Sequence, residues 1–424
     1  MMYEATNSGY FCAQFSPQSP KHLSVLSDND LQIFEYEDDD YKLMYVNRLG
    51  SKYDSIRCTE WSRDPSNPLT IAAGFGNGRV CLISYGDETD DQMSRVVTGN
   101  VVKEFNFRGS LKTKRRCNAL AWSKNDPSLL ACGYDWVQSR HTASQYSIVV
   151  WDVNKETKVH GAEYPVIEPY GNDANFHTSL PALGMTLDKG ISKRNRAQVV
   201  KNEKHAIDKK DDSSSLIWLN DENNKLISGS NKGSLKICDL QSSSPIEINA
   251  HSKRINSIKL SPFNPYVIAS CTEDEVKIFD TRKPKHALIQ INHDIKDFEF
   301  SNFHSYILAT IHNKTNSNHV KFWNISSATW ESIHVQDMQS IELKYPLSSQ
   351  KCEEPISNIA WLPQNADQGE ERENKYLIVT DYGQYLHNHK YKVIDSLPTQ
   401  FGKLFLTKSN CKFRVLSIQW TSLR

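Results

Sequence analysis

The chain has 424 residues, 38% hydrophobic and 10% aromatic, enough for a sizeable core and for two or three domains unless a repeated unit closes into one ring. Fifty basic residues balance fifty acidic ones; this lowers the rank of nucleic acid as a partner, because phosphate binding draws its affinity from a basic excess. Nine scattered cysteines without a CxxC pair outline neither a disulfide framework nor a zinc site.

One unit recurs along the chain: an alternating strand ending in an aromatic or apolar residue, a polar turn, an apolar strand, a Gly/Asn/Asp turn and a third strand. The first copy runs from Phe11 through HLSVLS to Tyr36, and the second from Ile56 through LTIAAG and GNG to Tyr85. The third starts at Arg115 and passes through SLLACG to Val153. Further copies span Ser214–Leu240, Ile255–Arg282 and Ile295–Ile325, and a seventh begins at Ile356. Their landmarks are Phe15, Trp61, Trp122, Trp218, Leu260, Phe300 and Trp361. The shortest intervals are about 40 residues, the period of four-stranded propeller blades. Third strands end on a decayed WD dipeptide: Phe34-Glu35, Trp151-Asp152, Cys238-Asp239, Phe279-Asp280 and Trp323-Asn324. No segment has the periodicity of an amphipathic helix.

The expected fold is therefore all-β: a seven-bladed WD-repeat β-propeller over residues 1–410. A long insertion at 154–213 separates blades 3 and 4, and its polar, basic half at 188–213 reads as disordered. Ser326–Cys352 reads as an inter-blade excursion and Asp367–Glu373 as an acidic insertion in the seventh repeat. The final stretch, 411–424, carries a strand, RVLSIQWTS, that either closes the ring or starts a following segment entering a partner's open propeller.

Candidate chemistry is sparse. Gly74-Phe-Gly76-Asn-Gly78 superficially looks like a glycine-rich phosphate loop, but a strand follows where that chemistry needs a helix N-terminus, so Asn77-Gly78 reads as a hairpin turn. GSNKGS from Gly229 reads the same way. His251, Ser270 and Asp274 occupy the positions of a buried WD-repeat network with Phe279 in place of the usual Trp. As a hydrolase triad they lack a nucleophile elbow and an oxyanion hole. His387 and His389 share one side of a strand without a third ligand. Lys112, Lys114, Arg115 and Arg116 form the sharpest basic cluster, a solvated loop or a contact for an acidic partner or membrane surface. No cofactor, metal or catalytic set is expected, and the chain reads as a non-enzyme. The opening MMYEATNSGYF lacks a leader pattern and no run reaches about 18 apolar residues. The expected location is accordingly cytoplasmic.

GFGNGRVCL at 74–82, RRCNALAWS at 115–123, LLACGYD…SIVVWDV at 129–153 and EPYGNDA at 168–174 resemble the missing-oocyte (Mio) family. The resemblance covers 56–174 and continues collinearly from 214 to 424. It implies a non-catalytic scaffold subunit of the SEA/GATOR assembly that regulates TOR signalling in response to nutrients. It further implies the propeller portion of a longer protein, peripheral to the vacuolar or lysosomal membrane, with propeller subunits of the Seh and Sec types as partners. A runner-up comes from Phe107-Arg108-Gly109, which is similar to the motif of phosphoinositide-binding propellers in autophagy and membrane traffic but has one arginine where they have two.

Overall fold

The computed structural model describes residues 12–27, 30–37, 40–48, 54–85, 99–105, 116–135, 147–157, 166–169, 212–219, 225–239, 246–302, 304–312, 319–325, 341–346, 348–351 and 356–361. It also gives the backbone of strands at 377–381, 392–399, 402–408 and 413–416. Everything described is strand or turn. The first run is β1 (Cys12–Phe15), β2 (His22–Ser27), β3 (Asp30–Glu37) and β4 (Asp40–Arg48), antiparallel throughout. Next come β5 (Ile56–Trp61), β6 (Thr70–Phe75), β7 (Val80–Ser84) and β8 (Asn100–Phe105). They are followed by β9 (Cys117–Trp122), β10 (Leu129–Tyr134), β11 (Ile148–Thr157) and β12 (Val166–Pro169). A separate sheet holds β13 (Ser213–Trp218), β14 (Lys225–Ser230), β15 (Ser234–Asp239) and β16 (Ile246–Asn249).

The second half repeats the plan with additions. β17 (Ser257–Leu260), β18 (Val267–Cys271), β19 (Glu275–Asp280) and β20 (Ile289–Asn292) precede β21 (Ile295–Phe300), β22 (Ile307–His312) and β23 (His319–Asn324). β24 (Ile341–Glu342) returns to pair in parallel with β20, and β25 (Ser348–Lys351) pairs with β23. The excursion expected after Ser326 thus supplies an outer strand to two neighbouring sheets. The last sheet contains β26 (Ile356–Trp361), β27 (Leu377–Asp381), β28 (Lys392–Thr399), β29 (Gly402–Lys408) and β30 (Phe413–Leu416), with β30 between β27 and β29.

The expected seven separate blades are corrected to six hydrogen-bonded sheets among the described residues. Val166 and Ile167 of β12 lie beside Glu104 and Phe105 of β8 in parallel register, which joins two antiparallel runs into one eight-stranded sheet. The insertion is likewise shorter than expected: β11 continues to Thr157, β12 occupies 166–169, and Ser213 already opens β13. Residues 170–211, most of the stretch read as disordered, lie outside the described residues, as does the acidic insertion at 367–373.

Each sequence landmark is the last residue of an innermost strand: Phe15, Trp61, Trp122, Trp218, Leu260, Phe300 and Trp361 end β1, β5, β9, β13, β17, β21 and β26. Side-chain contacts join these strands in a closed circuit. The Trp61 indole donates to the Gln14 carbonyl at 3.0 Å, and the Cys58 and Cys117 sulfurs lie 3.8 Å apart. The Trp218 indole donates to Ala121 O at 2.8 Å, and the Ile258 amide to Ser215 Oγ at 3.0 Å. Lys259 Nζ meets Asp297 at 3.3 Å, Asn358 Nδ2 donates to Asp297 Oδ2 at 2.8 Å, and the Ala13 amide donates to Asn358 Oδ1 at 3.2 Å. First and last sheets therefore abut, and the architecture is a WD-repeat β-propeller.

The second strands β6 (TIAAGF), β10 (LLACGY), β18 (VIASC) and β22 (ILATIH) are buried at every position. A strand covered on both faces loses the apolar/polar alternation, and small residues let adjacent sheets approach. The two Gly-rich stretches are hairpin turns. Gly78, at φ 85°, donates its N–H to Phe75 O at 2.9 Å, and Gly233, at φ 84°, links β14 to β15. A Cβ on Gly233 would lie 2.3 Å from the His251 carbonyl oxygen. Gly233→Ala combines a left-handed backbone penalty with a clash against main chain, and should lower stability by about 2 kcal/mol. Chemical denaturation checks this, and an unchanged midpoint would contradict it.

Candidate functional site

Polar residues of the innermost strands converge on the ring axis. Gln14, Glu60, Lys259, Glu299 and Asn358 are half-buried, while their strand neighbours Ala13, Trp61, Ile258, Phe300 and Ile359 are buried in the sheet-to-sheet core, as period-2 alternation requires. Lys259 binds Asp297 and Glu299 together. Burial pulls its ammonium pKa down, but the two carboxylates outweigh that and hold it above the ordinary lysine value. Burial raises Glu299, and Lys259 only partly offsets the rise. Glu60 accepts from Gln14 Nε2 at 2.8 Å and faces Arg63 at 3.7 Å; burial still leaves its carboxyl above the usual range. Each acid here is held by neighbouring donors, a pattern that fixes geometry. Cys58 and Cys117 are pushed up by burial and pack against Gly74, so they behave as small apolar side chains.

The His251 network differs from expectation in one member. His251 Nε2 meets Ser270 Oγ at 2.7 Å, but Nδ1 meets Glu275 Oε1 at 2.8 Å. Asp274 faces outward and pairs with Lys253 at 2.6 Å, because successive residues entering β19 point to opposite sides. Lys277 Nζ at 3.1 Å and Gln290 Nε2 at 2.7 Å also reach the Glu275 carboxylate; burial pushes it up, but His251 and Lys277 outweigh that and hold it below its usual range. Phe279 sits edge-on to His251 with centroids 6.5 Å apart. These contacts tie a turn to a sheet.

A second network escaped sequence reading. The Trp323 indole donates to Thr310 Oγ1 at 2.8 Å and lies 5.1 Å from the His293 ring, which sits edge-on to His312 at 5.8 Å. The signal was present as Trp323-Asn324 together with a His one strand upstream. Burial, reinforced by Lys321, lowers His312 from 6.5 to about 4. A depressed folded value means that its contribution is present above pH 6.5 and lost as pH falls toward 4, because the unfolded chain takes the proton more readily. Acidification over that window should cost roughly 2 kcal/mol, and His312→Asn should flatten this limb of the stability curve. Thermal melts across the window check it, and identical limbs would contradict it.

Of the basic cluster, Lys112, Lys114 and Arg115 lie outside the described residues, as do Phe107-Arg108-Gly109, His387 and His389. Arg116 is exposed directly before β9; its N–H donates to Asp135 Oδ2 at 3.3 Å and its carbonyl accepts from the Asp135 N–H at 3.2 Å. Sequence reading also missed the opposite rim, where the turns leaving β17 and β21 expose Phe263 (45%), Tyr266 (39%) and Tyr306 (43%). Among the described residues no group of three His, Cys, Asp or Glu is placed to hold a metal ion.

Residues 243–280 match the family model described as WD domain, G-beta repeat. A GATOR2 complex protein MIOS of Dictyostelium discoideum is 24% identical over 324 residues, covering 69% of this chain and 26% of the relative. GATOR2 complex protein MIOS-A of Xenopus laevis is 23% identical over 335 residues, covering 78% and 33%. The Danio rerio GATOR2 complex protein MIOS is 26% identical over 248 residues, covering 58% and 24%. The chain thus spans between 24% and 33% of the length of these relatives. Among solved structures, the Cps50 (Swd1) beta-propeller domain of Myceliophteria thermophila superposes with a TM-score of 0.55 at 12% identity, covering 96% of both chains; this likeness concerns the fold alone.

Proposed function

Because the chain belongs to the Mio family of WD-repeat proteins, we propose that it is a non-catalytic scaffold of a GATOR2- or SEA-type assembly that regulates TOR signalling in response to nutrients. The observation that carries this reading is similarity across 58% to 78% of the chain to proteins named as GATOR2 components. The geometry accords with it: a ring closed by side-chain contacts at every inner junction presents stable rims, which suits docking without reacting groups. Balanced charge suits mixed interfaces rather than steering by one sign.

In this reading the partners are other propeller subunits of the Seh and Sec types, and the site of action is the cytoplasmic face of the vacuolar or lysosomal membrane. Residues 1–410 act as one propeller and 411–424 supply its terminal strand. Lys112, Lys114, Arg115 and Arg116 are one proposed contact region. The phosphoinositide alternative rests on Arg108, which lies outside the described residues. Affinity purification of the longer parent with and without residues 1–424, scored by mass spectrometry, tests the reading. Loss of one or more subunits is expected; an unchanged complex would overturn it.

A further inference from the structure

We propose that Phe263, Tyr266, Arg282, Lys285, His286 and Tyr306 form a docking surface for an acidic segment of a partner protein that carries an apolar anchor side chain. The proposal rests on the scaffold reading and adds the chemistry of one partner. These residues share a rim. β17 and β21 are neighbours through Lys259, Asp297 and Glu299. Each strand then turns in the same way, with Ser261 N–H donating to Val267 O at 2.9 Å and Ser301 N–H to Ile307 O at 3.0 Å. The turn from β19 to β20 opens on this rim, since the Thr281 amide donates to Tyr266 O at 2.7 Å.

The aromatic side chains are exposed on turns that are held rigid. Asn264 Oδ1 accepts from the Tyr266 amide at 3.0 Å, Ser261 Oγ accepts from the Phe263 amide at 3.3 Å, and prolines at 262 and 265 flank Phe263 and precede Tyr266. Arg282 is fixed by a fork onto buried Asp280, with Nε–Oδ1 at 3.0 Å and Nη2–Oδ2 at 2.6 Å, and its guanidinium carbon lies 4.6 Å from the Tyr266 ring centroid. A surface whose side chains are already ordered loses little freedom on binding, and Tyr, Phe and Arg are the residues that anchor protein interfaces.

Charge selects the partner. Residues 261–266, 281–288 and 301–306 contain no Asp or Glu. The acid at their edge, Asp280, is buried and committed to Arg282. Lys285 and His286 are exposed, with no ion-pair partner among the described residues. In a chain of zero net charge these three turns are locally cationic beside three exposed rings. Acidic side chains complement the cations, and an apolar side chain packs against the exposed rings. A phosphate-rich polymer or lipid surface draws instead on many cations acting together, and this rim offers few.

The test titrates the full chain against a fluorescent peptide of alternating Glu and Asp interrupted by Phe and Leu, with anisotropy as the readout. A Lys-for-acid version of the peptide and phosphatidylserine-containing phosphatidylcholine vesicles serve as comparisons. Binding of the acidic peptide, absent for its basic version and weakened by salt, is expected. Lys285→Glu with His286→Glu, and separately Phe263→Ala with Tyr306→Ala, should each weaken it by about tenfold. These positions are exposed, so unchanged melting curves establish that the variants fold. No binding, binding unmoved by either variant, or binding of the vesicles in preference to the peptide would overturn the proposal. In the longer parent, loss of subunits on deleting the whole chain but not in the rim variants would sink the rim alone. No loss on deletion would sink the scaffold reading, whatever the peptide does.

Discussion

Trp323→Ala should destabilise the protein by about 4 kcal/mol, the cost of emptying a buried indole site that neighbours cannot refill. Trp323 is fully buried and packs with Val267, Phe298, Phe300 and Ile325, so the void would open between two adjacent sheets. Thr310 would lose the indole N–H that its hydroxyl now accepts at 2.8 Å, and the His293 ring would lose its neighbour at 5.1 Å. Trp323→Phe keeps an aromatic ring and removes the donor, and should cost about half as much. Denaturant midpoints separate the two, and a loss below about 1 kcal/mol for the alanine variant would be incompatible with this packing.

Lys259→Met should cost about 3 kcal/mol at neutral pH, because it leaves the Asp297 and Glu299 carboxylates together without their cation. The loss is pH-dependent, with a defined sign. The folded value of Glu299 already lies above 4.5 through burial, and removing Lys259 lifts it further. A carboxyl raised in the folded state stabilises below its unfolded value and loses that contribution as pH rises through the folded value. The deficit relative to the natural chain should therefore be small near pH 4 and full by pH 8. Adding Glu299→Gln should return more than half of it, since it removes one of the repelling charges. A deficit that is flat with pH, or one not relieved by the second change, would show that the triad contributes through packing alone.

The repeat was legible in the sequence because each innermost strand must end on a large side chain that fills the junction between sheets. Phe15, Trp61, Trp122, Trp218, Leu260, Phe300 and Trp361 all occupy that place. The hairpins at Gly78 and Gly233 were legible because a positive φ leaves few residue choices. The division into sheets was not legible. The pairing of β12 with β8 is two residues long and parallel, and it joins segments too distant in sequence for periodicity to register. β24 escaped for the same reason.

Among candidate sites, the sequence placed His251 and Ser270 together but chose Asp274 over Glu275, where one step along a strand reverses the side-chain direction. The exposed rim was invisible because Phe263, Tyr266 and Tyr306 resemble core aromatics until their solvent exposure is known. The axial contacts were invisible because Lys259 with Glu299, and Gln14 with Glu60, come from neighbouring repeats and meet only once one repeat packs against the next.

The short parallel strand β24 bears on how this protein is made. On a ribosome the chain emerges from its N-terminal end, and β20, complete at Asn292, waits with an open hydrogen-bonding edge until Ile341 and Glu342 are synthesised. At about 5 to 20 residues per second that interval lasts several seconds, during which the nascent sheet exposes a template for pairing with other chains. The clasp adds main-chain hydrogen bonds between two repeats that otherwise share the Ile295 N–H to Glu273 O bond at 2.8 Å and side-chain contacts, so they should lose their amide-exchange protection together rather than one after the other.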